Sequence, residues 1–337
     1  MPHHRASPRS STPAGRPLRP AQGWQPDRRE FLTASAAALG TLALAGCSSL
    51  GNRPRLVSGF RFGLITDIHY GDAPPKNTRY FAESVAKVRE AVATFDRAHV
   101  WFLAELGDLL ADATPETSEA YLLATLDTIE RELRRFDGPT YHVLGNHDLD
   151  NLSKAQVLAH LTNTGIAPGR SFYSFPTGGV RFLVMDAEFL ADGRSYDHGN
   201  YDYRDIHIPP AELEWLRFEL AATSAPVIVF IHQRLDGDGN VQVVNRADVR
   251  AILEGSDRVL AVFQGHDHKG AYSFINGIHY YTLKAVVEGS GPENNAYAIV
   301  DVRADLDIAV GGYRRAESML LPYRAAGVMT TGPAAEM

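Results

Sequence analysis

The sequence predicts an α/β protein in which β-sheets are covered by helices. From Phe60 onward, short apolar runs typical of strands alternate with segments whose apolar residues recur every three or four positions. The chain has 337 residues, of which 45% are hydrophobic and 22% are charged, so it has enough apolar material for a large core. Clusters of His, Asp and Asn directly follow several predicted strands, as in α/β proteins whose sites lie at the carboxyl ends of strands.

The net charge of −7 is unevenly distributed along the chain. Residues 1–46 contain six arginines against Asp27 and Glu30, a net charge of +4, which leaves about −11 for the remainder. Such an acidic excess argues against non-specific nucleic-acid binding. It is compatible with a small phosphorylated substrate, because bound cations can dominate the electrostatic field of a site.

Residues 1–47 have the features of an export signal. Residues 1–26 are rich in Pro, Ser, Arg and Gly, and Arg28-Arg29 then precede an apolar run at 31–46, as in twin-arginine signals. That run is short for a membrane span but suits a signal-peptide core. It ends in Leu-Ala-Gly-Cys at Cys47, the single cysteine, which resembles a lipobox. We predict an exported protein of the periplasm or cell envelope, and leave open whether Cys47 is lipidated or the signal is simply cleaved.

A predicted linker at 48–58 leads into one domain, 59–318, whose first half should contain three strands that are each followed by a helix. The strands are expected at 60–66, 99–106 and 141–144. The first helix carries apolar residues from Phe81 to Phe95 on one face. The second is expected to begin at Thr114-Pro115, and the third has a capping box at Ser153 and Gln156.

The second half of the domain repeats this alternation less regularly. Strands are expected at 180–185, 227–231 and 259–263, with helices at about 210–222 and 246–254. Asn276-Gly277 lies between two further apolar runs, 271–275 and 278–283, which predicts a β-hairpin. Two more strands near 296–302 and 306–313 complete the sheets, and 319–337 is expected to be a C-terminal tail.

Five polar clusters each follow directly on a predicted strand. They are Asp67-Ile68-His69, Gly107-Asp108, Gly145-Asn146-His147-Asp148, Ile231-His232 and Gly265-His266-Asp267-His268. Because the carboxyl ends of strands meet at one edge of a sheet, we expect these side chains to converge on one pocket. Imidazole and carboxylate groups together favour zinc, iron, manganese or nickel over magnesium or calcium. The clusters therefore predict a site for divalent transition-metal ions.

The order of these clusters resembles the calcineurin-like metallophosphoesterase superfamily over about residues 60–313. The resemblance implies a sandwich of two β-sheets flanked by helices, and two bound divalent metal ions (manganese, iron or zinc). The implied ligands are Asp67, His69 and His268 for the first ion and Asn146, His232 and His266 for the second, with Asp108 bridging both. His147 would contact the scissile phosphate and assist the leaving group, and Asp148 would orient the His147 imidazole.

The same resemblance implies hydrolysis of phosphoesters by a hydroxide that bridges the two metals and attacks phosphorus. The stretch from Gly265 to Tyr272, continuing to Lys284, resembles the manganese-dependent ADP-ribose/CDP-alcohol diphosphatase branch. This implies nucleotide diphosphates or other small phosphodiesters as substrates. Two positions depart from the pattern: that branch commonly has Gln at the position of His69, and the family often has Asp or Asn at the position of Ala111, where this chain has Asp112 one residue later.

Other functions remain open from the sequence. A non-specific phosphomonoesterase or a cyclic-nucleotide phosphodiesterase would use the same ligands, and a catalytically silent metal-binding lipoprotein could keep the fold. A single-iron oxygenase needs two His and one carboxylate, fewer than the seven ligands here. We expect His99 and His142 to be structural and Asp267 to point away from the ligands beside it. Residues 196–204 are expected to form a surface loop, with a lid or substrate wall as the alternative. The sequence indicates neither the natural substrate nor the oligomeric state.

Overall fold

The computed structural model describes residues 55–202, 204–239 and 241–323. The predicted export signal, 1–47, lies outside the described residues, as does most of the predicted linker. Within the described ranges, no helix combines the length and apolar character needed to cross a bilayer.

The described strands and helices alternate in much of the chain, and strands follow one another after α5. In chain order they are β1 (Phe60–Ile65), α1 (Ser84–Arg97), β2 (Leu103–Glu105), α2 (Glu119–Leu133), β3 (Thr140–His142), α3 (Lys154–His160), β4 (Tyr173–Thr177), β5 (Val180–Val184), α4 (Pro210–Ala222), β6 (Val227–Phe230), α5 (Arg246–Glu254), β7 (Val259–Gln264), β8 (Ala271–Ile275), β9 (Ile278–Thr282), β10 (Ala296–Val302), β11 (Ile308–Arg314) and β12 (Met319–Leu321). Short 3₁₀ helices occur at Phe81–Glu83, His147–Leu149 and Pro292–Asn294.

These strands form two mixed six-stranded sheets. The first has the order β12-β11-β10-β1-β2-β3, and the second has the order β4-β5-β6-β7-β9-β8. Within the first sheet β1, β2 and β3 are parallel, and within the second β5, β6, β7 and β9 are parallel. The carboxyl ends of these parallel strands carry the five polar clusters.

The two sheets pack face to face through an aromatic core. The Phe62 ring of the first sheet lies 5.6 Å from Phe182, 5.6 Å from Phe230 and 5.8 Å from Phe263 of the second. All four side chains are fully buried, and each contributes about 1.5–3 kcal/mol by burial. Because successive side chains of a strand point to opposite faces of its sheet, every second residue points into this core.

Helices cover the outer face of each sheet. Buried residues of α1 and α2, such as Phe95 and Leu126, share a core with Ile65 and Leu103 of the first sheet. Leu216 of α4 and Leu253 of α5 pack with residues of the second sheet such as Val229. The predicted two-sheet α/β sandwich flanked by helices is confirmed.

Several predicted boundaries are wrong, each for a local reason. Helix α2 begins at Glu119 instead of Thr114, because 114–117 forms a turn and Ser118 provides the N-cap by accepting from the Tyr121 amide (3.3 Å). The segment 319–321 is strand β12, paired with β11, so the tail cannot begin at 319. Strand β4 was not predicted, and β2 and β3 are shorter than expected. The Ser153–Gln156 capping box of α3 is present.

Candidate metal centre

The side chains of Asp67, His69 and His268 converge beyond the end of β1. The two Nε2 atoms of His69 and His268 are 3.2 Å apart. Asp67 Oδ1 is 3.4 Å from the Nε2 of His268 and 3.8 Å from that of His69. Asp67 and His69 are fully buried. These three ligand atoms form one group able to hold a metal ion.

A second group lies beside the first and contains Asp108, His232 and His266. Nδ1 of His266 is 3.3 Å from Nε2 of His232, which is itself 3.2 Å from Asp108 Oδ2. Asn146 is also buried at this centre, and its Oδ1 has no hydrogen-bond partner. An unpaired buried amide oxygen costs free energy unless a donor or a cation satisfies it.

Asp108 joins the two groups through a single oxygen atom. Its Oδ2 lies 3.5 Å from His69 Nε2 of the first group and 3.2 Å from His232 Nε2 of the second. Its other oxygen, Oδ1, accepts a hydrogen bond from the backbone amide of His147 (2.8 Å). Oδ2 is therefore the atom that faces both groups.

The donor atoms at this centre fit a pair of divalent cations. Facing ring nitrogens, two carboxylates and an unpaired amide oxygen form a mixed N/O set suited to manganese, iron or zinc. Although burial alone would raise the carboxyl pKa values, the surrounding histidines hold the pKa of Asp67 and of Asp108 below the ordinary value. Burial and the neighbouring His232 lower the pKa of His266 to about 3, which favours its neutral, ligating form.

The backbone around the centre adopts conformations that most residues avoid. Asp67, His69, Asp108 and His266 all have positive φ angles, between 44° and 66°. Such strain is characteristic of functional sites. The adjoining glycines allow close approach: a Cβ at Gly145 would lie 2.2 Å from the Asp108 amide nitrogen. Only glycine at position 145 lets the loop before Asn146 lie this close to the backbone of Asp108.

Groups around the ligands fix the orientation of the imidazole rings. His232 Nδ1 donates to the carbonyl of Leu106 (2.7 Å), and His268 Nδ1 donates to Glu288 Oε1 (2.6 Å). Each bond directs the opposite ring nitrogen, Nε2, towards the centre. Lys87 is buried and donates to the carbonyls of Val286, Glu288 and Gly289, which anchors the segment carrying Glu288.

The expectation that Asp148 orients His147 is wrong. Asp148 is fully buried and accepts hydrogen bonds from the amides of Gly145 (2.9 Å) and Leu109 (2.8 Å), so it ties two ligand loops together. The ring of His147 instead pairs through Nδ1 with Asp150 Oδ2 (2.9 Å). His147 starts a 3₁₀ helix, in which residues three apart eclipse each other, so Asp150 and not Asp148 lies over the ring.

The sequence of the chain matches a family described as calcineurin-like phosphoesterase over residues 60–270. The chain belongs to the calcineurin-like phosphoesterase family. The predicted superfamily is thus confirmed. This phosphoesterase is an enzyme that hydrolyses phosphoesters or phosphoanhydrides with the help of divalent metal ions.

Relatives of the phosphoesterase include manganese-dependent ADP-ribose/CDP-alcohol diphosphatases. The one from Oryza sativa subsp. japonica is 29% identical over 303 residues, which cover 77% of this chain and 93% of the relative. The one from Arabidopsis thaliana is 27% identical over 288 residues, 72% of this chain and 91% of the relative. The crystal structure of a dimetal phosphatase from Danio rerio matches with a TM-score of 0.67 and 24% identity, over 79% of this chain and 99% of that one. That likeness establishes a shared fold.

A cleft of about 1170 Å³ opens beside the metal centre of the phosphoesterase. His147 and His266 face it from the centre, and its wall includes His198, Gly199, Tyr201 and Asp202. Most described residues of 196–204 are exposed, as expected of a surface loop, and the segment also forms the substrate wall that was the alternative. Tyr196 is fully buried and stacks on the Tyr201 ring, 4.1 Å away. The segment lacks apolar periodicity, so this packing could not be predicted from the sequence.

Asp112 is a second residue whose position the sequence did not reveal. It lies 3.6 Å from His147 Nε2 and 3.8 Å from His69 Nδ1. Arg79 donates to Asp112 Oδ1 (2.7 Å) and Lys76 donates to its Oδ2 (2.9 Å). Despite burial, the charges of His147 and Arg79 lower the pKa of Asp112 to about 2. The carboxylate thus places a negative charge, paired with Arg79 and Lys76, beside the His147 ring.

Two further expectations are met by the structure. Asp267 points away from the neighbouring ligands and accepts a hydrogen bond from Arg234 Nη1 (2.8 Å). His142 is buried between two glutamates, with ring nitrogens 3.4 Å from Glu105 and 3.1 Å from Glu130. Both residues support the fold around the centre without facing the cleft.

Proposed function

We propose that this phosphoesterase hydrolyses the diphosphate linkage of small nucleotide-linked diphosphates, of the ADP-ribose or CDP-alcohol kind, with manganese. The diphosphatases of Oryza sativa and Arabidopsis thaliana, whose names give these substrates and this metal, align over 72–77% of this chain. The cleft beside the metal centre, about 1170 Å³, is large enough for a nucleotide joined to a second group. Both observations favour a diphosphate over a simple phosphomonoester.

The proposed ligands of the first ion are Asp67, His69 and His268, and those of the second are Asn146, His232 and His266. The observation that carries this assignment is the position of Asp108 Oδ2, within 3.5 Å of a ring nitrogen from each group. When bound, two divalent ions neutralise phosphoryl oxygens and make a water molecule nucleophilic near neutral pH. The protein contributes the orientation of the ligands and the burial of the centre.

His147 is proposed to act on the leaving group. Its Nδ1 pairs with Asp150, which leaves Nε2, 3.6 Å from Asp112 Oδ1, as the ring atom available to a substrate in the cleft that His147 lines. Although burial opposes protonation, the charges of Asp108 and Asp150 raise the pKa of His147 to about 9. In the proposed step the water gives up one proton to solvent and its oxygen forms the new bond to phosphorus. The bond to the leaving oxygen breaks with its electron pair on that oxygen, and Nε2 supplies a proton to it, which the imidazole regains from solvent.

We also propose that the enzyme acts outside the cytoplasm, in the periplasm or cell envelope. The support is the order of the twin arginines, the apolar run and Cys47 in the sequence. Replacing Arg28 and Arg29 by lysine should leave the protein in the cytoplasm, as seen by cell fractionation. Unchanged export of that double variant would contradict the proposal.

The substrate proposal is tested by hydrolysis of ADP-ribose, CDP-choline, cyclic AMP, a bis-aryl phosphodiester and an aryl phosphomonoester. The protein is first stripped with EDTA and then reloaded with manganese. We expect no turnover without metal, two manganese ions per chain after reloading, and higher kcat/KM for the two diphosphates. Preference for the monoester would make the enzyme a general phosphatase. Two bound metal ions without any turnover, also with zinc or iron, would exclude the proposed activity.

The matched control for this assay is Asp108→Asn. The variant keeps the shape of the side chain but removes the charge shared by both ligand groups. It should bind less than two metal ions per chain and lose turnover on every substrate in parallel. A loss confined to one substrate would show that Asp108 affects substrate binding and does not join two metal sites.

A further inference from the structure

Tyr201 connects the wall of the cleft to the loop that carries His147. Its hydroxyl lies within hydrogen-bond distance of Asp150 Oδ1 and of the Asn146 carbonyl oxygen, the latter at 2.8 Å. The backbone of the wall segment that carries Tyr201 also hydrogen-bonds to the 3₁₀ helix at His147–Leu149 and to the residues after it. The amide of Gly199 donates to the Leu149 carbonyl (2.9 Å), and that of His198 donates to the Leu152 carbonyl (3.1 Å).

The two oxygens of Asp150 divide their contacts between the cleft wall and the catalytic ring. Oδ2 accepts from the amide of Ala113 (2.9 Å) and lies 2.9 Å from His147 Nδ1. Oδ1 faces the hydroxyl of Tyr201. A Cβ at Gly199 would lie 2.7 Å from the Asp150 carbonyl oxygen, so the wall segment and the His147 loop are in close contact. The carboxylate is therefore fixed on both sides.

We propose that Tyr201 and Asp150 are positioning residues that hold the His147 imidazole with Nε2 towards the leaving group. The wall segment at 198–202 would then orient the proton donor as well as enclose the substrate. Without the tyrosine hydroxyl, the Asp150 carboxylate can rotate and the ring loses its fixed partner. The inference rests on the proposed leaving-group role of His147, and it does not depend on a preference for diphosphates.

A loss of proton donation has a signature that general damage to the site lacks. When the leaving oxygen is a poor leaving group, the reaction depends strongly on the proton from Nε2. When it is a good leaving group, the P–O bond can break with little help. A variant with a misplaced His147 should therefore lose more kcat on the poor leaving group. A variant with a disturbed fold or metal site should lose similar amounts on both.

The test compares Tyr201→Phe with Tyr196→Phe in the manganese-loaded protein. The control removes a hydroxyl from the other ring of the stacked pair, whose bond goes to the Asp205 carbonyl (2.9 Å) and not to Asp150. Substrates are the phenyl and p-nitrophenyl esters of thymidine 5′-monophosphate. We expect Tyr201→Phe to lose about tenfold in kcat on the phenyl ester, as for other residues that orient a functional imidazole. The loss on the nitrophenyl ester should be about threefold or less, with KM and metal content unchanged.

A double-variant cycle separates this inference from the role of His147 itself. In a His147→Ala background, Tyr201→Phe should change kcat by less than about twofold, because no ring remains to be positioned. Equal losses on the two esters, an equal loss in Tyr196→Phe, or an undiminished loss in the His147→Ala background would each overturn the inference. Full turnover by His147→Ala alone would refute the leaving-group role from which the inference starts.

Discussion

Replacing Gly145 by alanine should disable the metal centre through a steric clash with Asp108. A Cβ at this position would lie 2.2 Å from the Asp108 amide nitrogen and 2.3 Å from its Oδ1, whereas Cβ contacts below 3.0 Å essentially do not occur. One of the two loops must therefore move by about 0.8 Å. Gly145 does not have a positive φ, so the clash and not backbone strain decides the outcome. A displacement near 1 Å at a catalytic centre costs about 10²-fold in rate.

The assay measures manganese per chain after gel filtration and kcat/KM on a phosphodiester. We expect Gly145→Ala to retain fewer than two ions and to lose about 10²-fold in kcat/KM. Its metal-free form should unfold with a free energy lower by about 1–3 kcal/mol, as for other overpacked sites. Gly311→Ala is the control, since the nearest atom to its Cβ would be the Ile299 carbonyl oxygen at 3.3 Å. Two ions bound with wild-type affinity and turnover within about twofold would refute the reasoning.

Two further predictions concern single histidines. His69→Gln introduces the residue that the resemblance to the diphosphatase branch implies at this position. It should keep both metal ions because the amide oxygen can replace Nε2, whereas His69→Ala should lose the ion of the first group. Metal analysis of both variants checks this. Although burial opposes it, Glu130 and Glu105 raise the pKa of His142 from 6.5 to about 10. The protonated His142 therefore stabilises the folded state in full below pH 6.5, and this contribution is lost as the pH rises to about 10. Between these pH values, the free energy of unfolding measured with denaturant should fall less in His142→Gln than in the native protein. The same dependence on pH in both proteins would contradict the role given to His142.

The fold and the proposed metal ligands could be predicted because both depend on short-range signals. Each ligand follows an apolar strand within a few residues, and strand ends of parallel sheets meet at one edge. Asp67 and His268 could therefore be expected in one pocket despite lying about 200 residues apart. The resemblance to the family then implied which ligands share an ion, and that assignment stays a prediction. None of this required knowledge of loop conformations.

The contacts around the ligands could not be predicted, because they depend on loops. The pairing of His147 with Asp150 follows from a 3₁₀ turn that the sequence did not reveal. Glu288 lies against His268 in a segment whose carbonyls accept hydrogen bonds from the distant Lys87. Tyr201 lies in a segment without periodicity. Thr114-Pro115 resembled a helix start, but a local turn there competes with the helix.

The positive φ angles of Asp67, His69, Asp108 and His266 set stability against function at the centre. Each residue occupies a backbone conformation that glycine would adopt without penalty, at a cost of about 1 kcal/mol or more. Glycine at any one of the four positions would relieve that backbone strain but remove a proposed metal ligand. Loss of metal binding in such a variant is therefore compatible with an undamaged metal-free fold.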